Sequence, residues 1–61
     1  MTNAQAIAKS NEAAAQAKYY AVLEADRKAG IIFSQERLDA GLAHKAAVEA
    51  AAKADWDALP R

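Results

Sequence analysis

The chain has no cysteine, one proline, two glycines and four aromatic residues among its 61. The missing cysteines exclude a disulfide scaffold and any thiolate metal site. Charge of one sign is missing too. Eight basic side chains face eight acidic ones, so no global field draws the chain to nucleic acid or to anionic lipid. No uninterrupted apolar run approaches the ~20 residues of a membrane span, and the first residues lack the basic-then-apolar order of a secretory signal. The length allows one domain, residues 1–61. A domain of this size buries only ~60% of the surface its unfolded chain exposes, too little to wall a deep catalytic cleft. These absences predict a small helical protein of the cytoplasm, with no cofactor and no metal.

What is abundant is alanine, nineteen residues of 61. Only fourteen larger apolar or aromatic residues remain, counting Met1. Nothing before Gly30 breaks a helix, and residues 3–29 are rich in Ala, Lys, Glu, Gln and Leu, all good helix formers. Asn3 is a fitting N-cap. Arg27 and Lys28 complement the dipole at the far end, and Gly30 suits the left-handed position that closes many helices. Ser34 reads as the next N-cap, with Phe33 and Leu38 in the two positions of a hydrophobic staple and Glu36 in the first turn. A second helix then runs over 35–58. Two helices of similar length joined by a short loop form an antiparallel hairpin. The fold class is all-α, and the apolar triplet Ile31-Ile32-Phe33 is expected to plug an end of the hairpin.

On a wheel of about 100° per residue, Gln5, Lys9, Glu12, Gln16 and Arg27 share one arc of the first helix, its expected wet face. Ala4, Ile7, Ala8, Ala14, Ala15, Ala21, Val22, Ala25 and Ala29 share the opposite arc, interrupted by Asn11 and Lys18. In the second helix Lys45, Glu49, Lys53 and Asp57 follow at i, i+4 spacing and want water. Ala40, Ala43, Ala47, Ala51, Ala54 and Ala58 lie opposite. The seam is thus expected to be alanine-rich and closely spaced. Gly41, inside the second helix, costs about 1 kcal/mol relative to Ala, which points to a close backbone approach or to simple tolerance.

Alanine removes little apolar area, which is worth only ~25 cal/mol per Å². Six larger residues fall on or beside the polar sides: Tyr19, Tyr20 and Leu23 on the first helix, and Leu38, Leu42 and Trp56 on the second. They are the candidate partner-binding residues, since Tyr and Trp often dominate interface energetics and Leu pairs at i, i+4 suit helix-in-groove recognition. The deficit of large core residues also predicts a homodimer, most simply a four-helix bundle.

Few residues offer chemistry. His44, the only histidine, lies on the alanine face with no acid at i±4, and a metal needs three or four converging ligands. It reads as a half-buried polar residue near Lys18 or Tyr19. Asp55 and Asp57 flank Trp56 but point about 160° apart on a helix. Glu24, Asp26, Arg27 and Lys28 read as a mixed cluster capping the first helix. There is no glycine-rich phosphate loop, nucleophile elbow or paired-histidine zinc helix, so no enzyme is expected.

In length and layout alone the chain resembles the plasmid-encoded helical hairpins that dimerise into four-helix bundles and bind paired RNA loops. No residue motif carries that likeness and no site follows from it. Bacteriophage genomes also encode short, alanine-rich, cysteine-free helical proteins that block or adapt host proteins. Three functions compete. The leading one is a non-enzymatic interaction module, an adaptor or inhibitor, offering a helix face to a protein partner. The second is an assembly component that associates through alanine faces. The third is an RNA-binding hairpin dimer. Against RNA, residues 1–33 carry four basic and three acidic side chains and residues 34–61 four and five, with no basic cluster.

Overall fold

A computed structural model describes residues 2–60. They form two helices, α1 (Asn3–Ala29) and α2 (Gln35–Asp57), which fold back on each other as an antiparallel hairpin. Among the described residues there is no strand. The all-α hairpin is as expected, and its helix limits fall within one residue of the sequence reading.

The ends explain those limits. Thr2, not Asn3, caps α1. Its hydroxyl accepts from the Gln5 backbone N–H while the Gln5 side chain accepts from the Thr2 N–H, a reciprocal capping box. A Thr with Gln three residues on satisfies two orphan donors where Asn3 would satisfy one. At the other end Gly30 takes φ 73°, and its N–H donates to the Arg27 carbonyl while Ile31 donates to Asp26. That paired arrangement satisfies the last carbonyls and needs the left-handed backbone glycine provides. Ser34 caps α2 as expected, accepting from the Arg37 N–H at 3.0 Å.

The seam follows a different pattern from the wheel. The inward positions of α1 are Gln5, Ala8, Glu12, Ala15, Tyr19, Val22 and Asp26, and those of α2 are Arg37, Ala40, His44, Ala47, Ala51, Ala54 and Ala58. Both sets step by alternating three and four residues. That is the repeat of a coiled-coil seam, where 3.5 residues per turn keep one line of side chains on the partner. Beside these, only Leu23 and Gly41 are half-buried within the helices. Among the described residues only Ala40 (4% exposed) and Ala51 (6%) form an apolar core, and the third buried residue is Asp26.

Several expectations are therefore corrected. Gln5 and Glu12 sit half-buried in the seam, whereas Lys9, Gln16 and Arg27 stay wet. Ala4, Ile7, Ala14, Ala21, Ala25 and Ala29 of α1, and Ala43 of α2, are exposed. The cause is mainly composition: alanine lies on every side of α1 and does not mark its inner face, Gln5 and Glu12 resemble surface residues by type, and a drift of about 20° per heptad against a straight-helix wheel adds to this. The triplet Ile31-Ile32-Phe33 plugs nothing. All three residues are exposed, Ile32 at 88%.

Polar contacts hold the turn in place of an apolar plug. Asp26, 7% exposed, accepts a 2.6 Å hydrogen bond from the Ser34 hydroxyl and lies 3.3 Å from Arg37 Nε. Arg37 also donates to the Ile32 carbonyl. One carboxylate thus ties the end of α1 to the cap and first turn of α2. Glu24, Arg27 and Lys28 do pair with one another, but on the surface, while Asp26 turns inward away from them.

Candidate interaction surface

The six candidate residues divide by their place on the two helices. Tyr19 belongs to the seam. Its ring stacks on His44, centroids 5.7 Å apart and planes 13° from parallel. It also covers Gly41, where an added Cβ would stand 3.3 Å from Tyr19 Cε1. Gly41 is thus a close approach of side chain to helix backbone. Leu23 is half-buried one turn along. Tyr20 is exposed, tilted 37° to Tyr19 and within 3.5 Å of the Gln16 amide.

Leu38, Leu42 and Trp56 are the outward members, 42%, 57% and 64% exposed. On α2 they fall on a line with Lys45, Glu49 and Ala52, stepping 4, 3, 4, 3 and 4. This outer stripe repeats the seam's spacing and, at about 100° per residue, faces roughly away from the seam. Leu42 and Trp56 stand about 21 Å apart along the axis at 1.5 Å per residue. Between them Lys45 and Glu49 approach to only 4.0 Å, with both side chains mostly in water. One turn beyond, Lys53 and Asp57 pair at 2.7 Å; that hydrogen bond, then the carboxylate's charge, holds the lysine amine above its usual range.

Near the open end Gln5 donates to Asp55 at 2.8 Å across the hairpin. With the Tyr19–His44 and Asp26–Arg37 layers, this sets the register. Asp55 is therefore engaged in the fold, and Asp57 in its own ladder, so the two acids flanking Trp56 do not converge. His44 has the Tyr19 ring as its neighbour, and among the described residues no three His, Cys, Asp or Glu gather as a metal site. No helix among the described residues is long and apolar enough to cross a membrane.

The sequence alone did not disclose two parts of this framework, the Asp26–Ser34–Arg37 clamp and the paired repeats on α2. The three-four spacing of Gln5 through Asp26 and of Arg37 through Ala58 is the signal that would have revealed them. No protein-family model, curated protein or solved structure matches the chain.

Proposed function

We propose that the chain is a non-enzymatic interaction module, an adaptor or inhibitor, that presents the outer edge of α2 to a protein partner. One observation carries this reading. Helix α2 turns mostly alanines to the seam and leaves Leu38, Leu42 and Trp56 outside on a single helical line. Scattered surface apolars need no explanation, but an aligned set with an aromatic anchor is the pattern of a surface meant to be covered. Leu38 and Leu42 supply the i, i+4 pair that seats in a groove, and Trp56 supplies a large, rigid contact two heptads beyond Leu42. Tyr20 adds an exposed aromatic on α1.

The test pairs folding with capture. Leu42→Ser and Trp56→Ser should keep the helical circular dichroism of the parent, while the double variant loses proteins that the parent captures from its native cells. A control substitution on the back of α1, Ala17→Ser, should retain them. Collapse of helix content in both single variants would make these residues part of the fold and end the reading.

A further inference from the structure

Building on the interaction reading, we infer that the outer stripe of α2 pairs with the same stripe of a second copy, antiparallel, about a two-fold axis that crosses the outer side of α2 midway between Lys45 and Glu49. Three observations carry this.

The first is area. The folded chain exposes 4589 Å². A compact monomer of 6.5 kDa exposes about 3,800 Å² by the scaling of surface with mass. The surplus, about 800 Å², reflects an elongated hairpin of 50 × 13 × 10 Å, and a standard interface takes about 800 Å² from each partner, so the chain can give up that much and still match a compact monomer.

The second is spacing. Leu38, Leu42, Lys45, Glu49, Ala52 and Trp56 step by four and three residues throughout, the repeat two helices need to stay in contact along their length. The hairpin seam uses the other side of α2, and Leu38, Leu42 and Trp56 on this side are 42%, 57% and 64% exposed.

The third is that the stripe is complementary to itself when reversed. In an isologous two-fold interface each contact occurs twice with the roles exchanged. Reversal about position 47 sets Leu38 against the second copy's Trp56, Leu42 against its Ala52 and Lys45 against its Glu49. The large residue meets a small one in the second layer, and opposite charges meet in the third. A parallel pairing would instead set Lys45 on Lys45 and Glu49 on Glu49. The long 4.0 Å spacing within one chain leaves both charges mostly exposed and able to turn to a neighbour. The apolar ends supply affinity, and the central charges fix direction and register.

Sedimentation equilibrium on the full chain tests this with a charge exchange. The parent should be a dimer at micromolar concentration. Lys45→Glu or Glu49→Lys alone places like charges across the axis twice, and each should weaken dimerisation about tenfold or more. An equimolar mixture of the two variants should recover the parent's affinity, because each mixed pair again opposes unlike charges. Circular dichroism at dilution checks that all three chains are equally helical. The double variant Lys45→Glu/Glu49→Lys, which keeps opposite charges at 45 and 49 within each chain and across the axis while giving up the 49–53 step of the ladder, should dimerise like the parent. A parent that stays monomeric overturns the self-pairing but leaves the exposed edge for another protein. A dimer whose affinity ignores the exchange, or a larger assembly, overturns it as well, because a different face is then in use.

Discussion

Helix α2 carries two stripes of the same spacing on opposite sides, and they are built from opposite materials. The inner one, Arg37 to Ala58, is alanine broken by Arg37 and His44, and its neighbours lie in the same chain. The outer one, Leu38 to Trp56, holds two leucines and the single tryptophan around a Lys–Glu pair. Small side chains let two backbones come close, and polar layers at defined heights, Asp26–Arg37 and Tyr19–His44, then set the register. The difference teaches that hydrophobic bulk and fold position are decoupled here. The residues that specify the hairpin are the small and polar ones, while Leu38, Leu42 and Trp56 stay exposed on the outer side.

The sharpest way to break this contrast uses neighbouring alanines. Ala51 is in the core and Ala52 is exposed on the outer stripe. Ala51→Asp would bury an unpaired carboxylate and should cost about 3 kcal/mol or more. That is enough to unfold a chain of this size, whose single core rarely supplies more than about 3–5 kcal/mol. Ala52→Asp should cost about 0.5 kcal/mol in helix propensity. Urea titrations of both variants at dilution below the range of self-association, followed by circular dichroism, check this. Equal losses would mean that the two sides do not differ.

The next largest effect is expected at the polar end of the inner stripe. Asp26→Ala removes the partner of Ser34 and leaves the half-buried Arg37 charge uncompensated, a loss of about 2 kcal/mol. Glu24→Ala, in the exposed pair with Arg27 two positions away, should change stability by a few tenths of a kcal/mol, as surface ion pairs do. Thermal melts separate these cases. A small effect at Asp26 would transfer the job of holding the turn to the Gly30 and Ser34 caps alone.

On the outer stripe the sign of the contrast reverses. Trp56→Ala should leave the dilute chain's melting curve within about 0.5 kcal/mol of the parent, as for surface substitutions. The same change should cost about 2 kcal/mol in association, the loss typical of a true anchor. Because Trp56 is the only tryptophan, its emission should shift to shorter wavelength as concentration rises. Emission that does not change with concentration would place the anchor elsewhere.

How much of this was legible depends on the kind of residue. The break at Gly30 and the cap at Ser34 were, because each has a local reason to sit where it does, whereas the cap of α1 falls on Thr2 and not on Asn3. The alanine character of the inner face of α2 was legible too, and of the two neighbours expected for His44, Lys18 or Tyr19, the ring of Tyr19 is the one it stacks on. The inner face of α1 was not. With ten alanines in α1, composition does not separate inside from outside, and half-buried Gln5, Glu12 and Asp26 look like surface residues by type. Only the three-four repeat distinguishes them, and a straight-helix wheel blurs it over seven turns. Leu38, Leu42 and Trp56 were found as departures from simple amphipathic patterning, but their common spacing with Lys45 and Glu49 becomes meaningful only once the seam is known to lie elsewhere.

The smallest effect tests how closely the inner stripe is fitted. In an unobstructed helix Gly→Ala gains about 1 kcal/mol. At Gly41 the new Cβ would stand 3.3 Å from Tyr19 Cε1, so the ring must give by a few tenths of an ångström. The stacking of His44 on its face resists that movement. Gly41→Ala in the parent should therefore gain well under 1 kcal/mol, whereas in a Tyr19→Ala background it should gain the full ~1 kcal/mol. The difference, about 0.5 kcal/mol or more, is the coupling between ring and backbone that a double-mutant cycle measures. Equal gains in both backgrounds would mean that Tyr19 shifts at no cost, and that the aromatic layer lies on the hairpin without constraining it.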